Sequence, residues 1–576
     1  MRRIFSIVLA GLFCFSGISY SQCYKTLTFE NIKVGGELRL RLVQNLNRLE
    51  EEKYWPDNVF LTEQQSGWWP GDTEGRTILA LVMDARALGC TPKYLDEIVS
   101  RVPSHLNRLG YMGTIHDGSL DEQQLSGNGW MLRGLCEYYL LKKDRQLLAL
   151  IQKLAESLFA SYPDLYDCYP ISPESRVKDT GEASGSLSQV IGRWRLSSDI
   201  GCVFIGMEGL LQALQVTGDE KLRSVAQKMV DLFLKVDLTG IRAQTHASLT
   251  AMRGLLRYAD ITGEKSYIEE VEKRWNIYRR YGMTECYANY NWFCRYNTWT
   301  EPCAIVDSYI VAAQLWQRTG NSQYRDDAEC IYYNALCYAQ RANGGFGLEN
   351  SPGIANSTPD ITPYCDEAHW CCTMRGGEGL GRAAQFTVVK NDDGYAFPFL
   401  RDAVVSDTLN GKPAVMEMKT KYPYSGNTTV CIKKAPAGKV SMAFAKASWM
   451  SGYKVLVNGK RVQYKEHNGL AEVRHSFKDN DEIKIEFDLN PRYEATLNAD
   501  NTSTGDFRIM YGPLVMAGQT GSNGNVEYGE EFEDMGNTAF CGERSGVLIS
   551  PLLHLMSPAI YKSSLPSYSR RVIFSR

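Results

Sequence analysis

Between about residue 74 and residue 341 the sequence repeats one unit, an apolar helical segment followed by a turn and a more amphipathic helical segment. Three of the turns are closely similar, Thr217-Gly218-Asp219, Thr262-Gly263-Glu264 and Thr319-Gly320-Asn321. Glycine at these points supplies the left-handed residue with which many helices end. The five predicted hairpins pair residues 74–89 with 93–101, 129–141 with 144–160, 202–216 with 220–235, 247–261 with 265–280, and 304–318 with 323–341.

Helical segments at 35–49 and 373–388 supply a sixth pair from the two ends of this region. In each pair the first helix is apolar nearly all round, which is typical of a helix buried on every side. Twelve helices in two alternating classes predict an (α/α)6 barrel with buried inner helices and half-exposed outer helices. A right-handed solenoid of helical hairpins is the alternative, and the pairing of the two ends favours the closed barrel.

After about residue 395 the apolar residues alternate with a period of two, which indicates β-strands. The predicted strands are 395–405, 414–422, 428–433, 440–445, 453–457, 461–464, 470–477 and 482–487, separated by turns such as Asn458-Gly459. This pattern predicts a β-sandwich after the barrel, and thus a mainly α protein with a β domain. The predicted organisation is a signal peptide (1–21), the barrel (22–394), the sandwich (395–522) and an unassigned segment (523–576).

The N-terminus has the features of a secretory signal. Met1-Arg2-Arg3 precedes an apolar run from Ile4 to Phe15, and small residues stand before Gln22. No later stretch reaches about twenty apolar residues, so we expect no membrane insertion and a periplasmic or extracellular location. The 63 Lys and Arg against 66 Asp and Glu give a net charge of −3, which argues against a nucleic-acid partner. The sequence leaves the oligomeric state open.

Two short cysteine clusters lie about seventy residues apart, Glu301-Pro302-Cys303 and Cys371-Cys372. Three thiols and one carboxylate form a plausible closed ligand set for a tetrahedral zinc ion. The alternative is that these cysteines are inert buried side chains, which is the commoner role of a single cysteine. Disulfides are a further possibility, because the chain has 16 cysteines and carries an export signal.

The predicted barrel brings the two clusters together. If all the inner helices run parallel, their N-termini meet at one mouth of the barrel. Asp72, Trp130, Arg242 and His246 also lie at or near predicted inner-helix starts, together with both cysteine clusters. Helix N-termini carry partial positive charge and lower the pKa of nearby thiols. We therefore expect a functional site at this mouth.

Several of these motifs, in the same order, resemble the β-L-arabinofuranosidases of glycoside hydrolase family 127. The resemblance rests on Glu301-Pro302-Cys303-Ala304, the Thr319-Gly320-Asn321 turn, Tyr333-Asn334-Ala335-Leu336 and Cys371-Cys372. Tyr422-Pro423, Val457-Asn458-Gly459 and the segment 511–515 extend it into the β domain, so that it covers about residues 35 to 520.

The resemblance implies a retaining exo-glycosidase that removes side-chain sugars from oligosaccharides or plant-type polysaccharides. Cys371 would be the nucleophile and Glu285 the general acid/base, while Glu301, Cys303, Cys371 and Cys372 would bind Zn2+. A thiolate can replace the usual carboxylate nucleophile if its pKa is held low, and zinc has this effect.

The sequence also departs from the family pattern around the sugar. The family places histidines at several inner-helix starts, where this chain has Asp72, Trp130 and Arg242, with His246 the nearest histidine. Arg375 lies just after the cysteines, where the family usually has Pro-Pro-Asn. These arginines suggest the hypothesis that the sugar carries a carboxylate, because a guanidinium pairs well with one.

Two other functions fit parts of the sequence. A non-catalytic, zinc-containing carbohydrate-binding protein would keep the metal without turnover. An uronyl hydrolase or polysaccharide lyase would share the helical barrel but would need no Cys-Cys pair. Bound zinc would argue against the uronyl hydrolase or lyase and would leave the glycosidase and the carbohydrate-binding protein.

Overall fold

Twelve helices form a closed double ring in the part of the chain that this computed structural model describes, namely residues 23–61, 69–176, 185–350, 359–498, 500–519, 525–555 and 570–576. The inner helices are α2 (Asp72–Leu88), α4 (Glu122–Lys142), α6 (Val203–Thr217), α8 (Thr245–Thr262), α10 (Pro302–Thr319) and α12 (Cys372–Phe386). The outer helices are α1 (Gly36–Leu49), α3 (Leu95–His105), α5 (Arg145–Phe159), α7 (Glu220–Leu234), α9 (Ser266–Tyr281) and α11 (Ser322–Ile331).

The ring closes where α12 packs against α2, and α1 packs on both of them. Each remaining inner helix packs against the next one along the chain. The predicted (α/α)6 barrel is therefore confirmed, and the open solenoid is excluded. The repeated turns end their helices as expected, with Gly218, Gly263 and Gly320 at φ values of 67°, 78° and 72°.

Two of the inner helices approach each other at glycines. A Cβ atom at Gly209 on α6 would lie 2.3 Å from the carbonyl oxygen of Gly129 on α4. Because real Cβ atoms do not approach a backbone oxygen so closely, this crossing of α4 and α6 requires glycine.

Helix α4 begins at Glu122, seven residues before the predicted start at 129. The side chain of Asp121 caps it by accepting hydrogen bonds from the backbone N–H groups of Gln123 and Gln124. Trp130 therefore lies two turns inside the helix rather than at its start.

Two large sheets form the predicted β-sandwich. Across sheet A the strands are Lys25–Thr26, Val389–Asn391, Gly394–Phe397, Val440–Ala445, Leu470–His475 and Lys465–His467. Across sheet B they are Lys460–Val462, Ser451–Val457, Glu482–Asp488, Asn427–Lys434, Lys412–Thr420, Ala403–Leu409 and Ile32–Val34. The sheets contact each other through Tyr453, whose hydroxyl donates to the Ala445 carbonyl across 3.0 Å. The fold class is as predicted.

The strand predicted over 395–405 is two strands in different sheets. Gly394–Phe397 pairs in parallel with Val440–Ala445 in sheet A, and Ala403–Leu409 pairs in sheet B. Pro398 separates them and has no N–H group to continue the first ladder.

A third sheet, sheet C, contains the strands Pro491–Leu497, Ser503–Tyr511, Leu514–Gln519, Leu548–Pro551, Ala539–Gly542 and Phe532–Gly536 in that order, with Arg570–Arg571, Phe574–Ser575 and Asp360–Ile361 attached. Part of the unassigned segment 523–576 thus contributes strands. A small sheet, Leu120–Asp121 with Trp194–Ser197 and Leu187–Ile191, lies before α4 and α6.

A further sheet, which we call the mouth sheet, joins Trp299–Thr300, Leu348–Asn350 and Pro363–Cys365. The predicted signal peptide, 1–21, lies outside the described residues. Among the helices that the structure describes, none has both the length and the apolar character needed to cross a bilayer.

Candidate active site

The two cysteine clusters meet at one end of the barrel. Glu301 is the N-cap residue of α10 and Cys303 lies in its first turn, while Cys371 and Cys372 stand at the start of α12. The sulfur atoms of Cys303 and Cys372 are 3.7 Å apart, and those of Cys371 and Cys372 are 3.3 Å apart. One ligand atom from each of the four residues lies within 4.8 Å of the others. The ring geometry predicted from the helical repeat therefore places the clusters together.

This donor set fits a zinc ion. Tetrahedral zinc with Zn–S bonds of about 2.3 Å places its sulfurs about 3.8 Å apart, close to the separations seen here. The Oε2 atom of Glu301 is buried without a hydrogen-bond partner among the described residues, as expected of a ligand atom. Every cysteine in the described ranges is a free thiol, so none of these sulfurs is used in a disulfide.

The ionisation of the cluster also favours a cation. Burial opposes ionisation of Cys303, but hydrogen bonds from the other two thiols and the charge of Arg76 lower its pKa well below the usual value. The hydrogen bond to Cys303 raises the pKa of Cys371, and burial raises the pKa of Cys372 and of Glu301. The protein alone thus stabilises one negative charge on this cluster. A divalent cation would stabilise the others.

Arg76 connects α2 to the cluster. Its Nη1 atom donates to the sulfur of Cys303 across 3.3 Å, and its Nε and Nη2 atoms donate to the two carboxylate oxygens of Asp72 at 2.7 and 2.9 Å. Both side chains are buried. Sequence reasoning singled out Asp72 and missed Arg76, although a residue four positions further along a helix lies on the same face.

The cluster opens into a cavity of about 480 Å³. Its ionisable walls include Asp72, Asp199 and Glu301, with Arg76 as the one Lys or Arg among the described lining residues. The His246 imidazole lies 3.8 Å from Glu301 and 3.4 Å from Asp307, and burial lowers its pKa to about 4. Aromatic side chains supply much of the remaining wall, namely Trp69, Trp299, Tyr364 and Trp370.

Trp130 and Arg375 lie beneath the cavity rather than in its wall. Trp130 is fully buried, with the Arg76 and Arg375 guanidinium carbons 4.3 and 4.4 Å from its ring centroid. Arg375 is also fully buried and is ion-paired with Asp307 at 2.5 Å and with Glu378. Their predicted role as direct sugar contacts does not agree with this placement, because the inner helices carry them into the barrel interior.

Arg242 does not line the cavity either. It lies half-buried in the turn before α8, with φ at 50°, and its positive charge acts on the thiol of Cys294. The hypothesis of an acidic sugar rested on Arg242 and Arg375, so it loses both of its supporting residues. The described wall instead carries three carboxylates and one guanidinium.

Glu285 lines a second, larger cavity of about 920 Å³, next to sheet C. The Arg508 guanidinium donates to its backbone carbonyl across 2.6 Å, and burial raises the pKa of its carboxyl. Tyr287 and Tyr290 line the same cavity. Glu285 is not among the described residues that line the cavity holding Cys371, so its role as general acid/base stays a prediction.

Comparison with known proteins agrees with this architecture. The family model described as the GH127 β-L-arabinofuranosidase catalytic domain matches residues 189–383, and the GH127 middle-domain model matches residues 404–489. Comparison with curated proteins gave no match.

Solved structures show the same fold at low sequence identity. A GH127 β-arabinofuranosidase is 15% identical with a TM-score of 0.72, and the alignment covers 97% of this chain and 98% of that one. A structure described as a glycoside hydrolase is 14% identical with a TM-score of 0.68, covering 97% and 98%. A GH127 β-L-arabinofuranosidase from Geobacillus stearothermophilus T6 is 12% identical with a TM-score of 0.69, covering 95% and 100%.

Proposed function

We propose that the chain, which matches the catalytic-domain and middle-domain models of glycoside hydrolase family 127, is a retaining exo-glycosidase of the β-L-arabinofuranosidase type with Cys371 as nucleophile. The observation that supports this most strongly is the convergence of Glu301, Cys303, Cys371 and Cys372 at the base of an open cavity. The substrate would be a side-chain sugar on an oligosaccharide or plant-type polysaccharide. Export of the enzyme remains a prediction from the N-terminal sequence.

Zinc held by Glu301, Cys303, Cys371 and Cys372 would keep the thiols ionised near neutral pH. In the first step the sulfur of Cys371 attacks the anomeric carbon, and the bond to the leaving oxygen breaks. A proton donor in the cavity protonates that oxygen. In the second step a water molecule attacks the same carbon, loses a proton to the resulting carboxylate, and the sulfur leaves as a thiolate.

Besides Asp72 and Glu301, the described wall of the cysteine cavity carries a third carboxylate, that of Asp199. Asp72 is held by two hydrogen bonds from Arg76, and Glu301 belongs to the cysteine cluster. Asp199 lies close enough to Glu301 for its charge to raise the pKa of Glu301. We therefore propose Asp199 in place of Glu285 as general acid/base.

The cavity wall favours a neutral sugar. Arg76, which is already paired with Asp72, is the one Lys or Arg among the described lining residues, so the described wall offers no second guanidinium to bind a carboxylate on the sugar. The family's default sugar, a β-L-arabinofuranoside, is consistent with this balance.

Metal analysis and one substitution test the proposal. Protein purified under reducing conditions should contain about one zinc per chain. Cys371→Ser should abolish hydrolysis of a β-L-arabinofuranoside, because an alkoxide is far harder to generate than a thiolate. Cys202→Ser is the matched control, since Cys202 is a buried cysteine just before an inner helix but outside the cluster.

Each alternative predicts a different result. Zinc-free protein would refute the metal site and favour an uronyl hydrolase or lyase. Zinc-loaded protein that turns over no glycoside, in the wild type as in Cys371→Ser, would indicate a carbohydrate-binding protein. A Cys371→Ser variant with normal rates would refute the nucleophile.

A further inference from the structure

Water-exposed aromatic rings surround the opening of the cysteine cavity. Tyr364 is 57% exposed and Trp370 is 46% exposed, and both line the cavity. Within the described residues, the other tryptophan and tyrosine side chains exposed to this degree are Trp55 and Tyr528, which line neither this cavity nor the second one. Two of these four exposed tryptophan and tyrosine side chains thus lie at one opening.

The rings at this opening are held by the surrounding structure. Tyr364 stacks on Trp299, with ring centroids 5.2 Å apart and planes within 16°. Both residues belong to strands of the mouth sheet. Trp370 packs edge-on against His369 at 5.1 Å and precedes Cys371 directly. Since Trp299 covers one face of the Tyr364 ring, the exposed area of Tyr364 lies mainly on its other face.

An aromatic face presented to water is a surface for another flat, partly apolar group. A sugar ring has such a face, formed by its C–H bonds. The carboxylates of Asp72, Asp199 and Glu301 are buried, whereas Tyr364 and Trp370 are about half exposed, so we infer that the reacting sugar enters past the aromatic rings. The next sugar of the substrate, on the leaving side of the bond, is then level with them.

We propose that Trp299, Tyr364 and Trp370 form an aglycone platform, which binds the sugar on the leaving side of the cleaved bond by ring stacking. This inference rests on the proposed glycosidase function. It assigns the substrate class as a disaccharide or longer saccharide whose second ring has an unsubstituted apolar face. A sugar linked to a small alkyl group would occupy the catalytic end alone and would be a poorer substrate.

The test compares two substrates with the same reacting sugar, methyl β-L-arabinofuranoside and a β-L-arabinofuranosyl disaccharide. In Tyr364→Ala and in Trp370→Ala, kcat/KM for the disaccharide should fall about tenfold, mainly through KM. The value for the methyl glycoside should fall several-fold less than the value for the disaccharide, because the methyl glycoside does not reach the platform. Trp55→Ala and Tyr528→Ala remove equally exposed rings elsewhere and should leave both substrates unaffected.

Binding measured without turnover separates this inference from the proposed function. Calorimetric titration of Cys371→Ser with the disaccharide should show binding that weakens about tenfold when Tyr364→Ala is added. If Cys371→Ser is inactive but the platform variants lower kcat/KM equally for both substrates, or for neither, the platform is refuted and the proposed glycosidase function stands. If Cys371→Ser keeps normal rates, the proposed nucleophile fails, whereas a larger loss of kcat/KM on the disaccharide than on the methyl glycoside in Tyr364→Ala still supports the platform.

Discussion

The ion pair between Asp72 and Arg76 gives the sharpest quantitative prediction. Both side chains are buried, and two of the guanidinium N–H groups bind the carboxylate at 2.7 and 2.9 Å. Arg76→Gln removes the cation and leaves the Asp72 carboxylate buried without its counter-charge. Breaking a buried pair in this way costs about 3–5 kcal/mol of unfolding free energy. Adding Asp72→Asn removes the unpaired charge and should recover more than half of that loss.

The assay is denaturant unfolding of the four proteins in the cycle, with a chelator present so that metal binding does not contribute. Arg101→Gln is the control, because Arg101 pairs with Asp57 at the surface and such pairs contribute at most about 1 kcal/mol. Arg76→Gln should also weaken zinc binding about 10–100-fold in chelator competition, since its hydrogen bond to Cys303 is lost. The reasoning is refuted if Arg76→Gln costs no more than Arg101→Gln, or if the double variant is as unstable as the single one.

Three further predictions test the catalytic assignment, the helix packing and the response to pH. Asp199→Asn should retain zinc and should reduce turnover far more for a substrate with a poor leaving group than for an activated aryl glycoside. Glu285→Gln should reduce turnover of both substrates equally, or of neither. If Glu285→Gln shows the leaving-group dependence and Asp199→Asn does not, Glu285 is the acid/base. Gly209→Ala should lower the unfolding free energy by about 1–3 kcal/mol, because its Cβ would meet a backbone oxygen at 2.3 Å. Gly254→Ala, whose nearest contact is a side-chain methyl at 3.2 Å, should raise the unfolding free energy by up to about 1 kcal/mol. Equal melting temperatures of the two variants would contradict this. Burial raises the pKa of Glu329 from 4.5 to about 7, so the folded state holds a proton that the unfolded state has lost, and stability should fall as pH rises through that window. In Glu329→Gln the melting temperature should depend less on pH between pH 4.5 and 7 than in the wild type. An unchanged pH dependence would mean that other groups cause it.

The helical repeat is sufficient to predict the barrel, because the period and the turn residues act locally and because the extra helix at each end of the repeat indicates that the ring closes. It also predicted the meeting of Glu301 and Cys303 with Cys371 and Cys372, since helix starts in a closed ring share one mouth. Trp130 was misplaced because the start of α4 depends on the Asp121 cap, which lies outside the apolar pattern.

The rest of the site depends on tertiary contacts that spacing does not encode. Glu285 matches the family position, yet the path of its loop carries it towards Arg508 in sheet C. Arg375 follows the cysteines in sequence, but its helix turns the side chain inward to Asp307. Two of the aromatic rings at the opening, Trp299 and Tyr364, come from the mouth sheet, whose strands are two or three residues long and too short to show a period.

The first strands of the described chain pair with strands that follow the last barrel helix. Lys25–Thr26 lies beside Val389–Asn391 in sheet A, and Ile32–Val34 lies beside Ala403–Leu409 in sheet B, so residues more than 360 positions apart form two ladders. A nascent chain cannot complete these ladders, or close the ring at α12, until most of it has been synthesised. Contacts so distant in sequence slow folding, because a long loop must be ordered before they form. A fragment that stops at residue 394 would leave Ile32–Val34 without a partner strand, so the barrel should not fold to full stability when expressed alone.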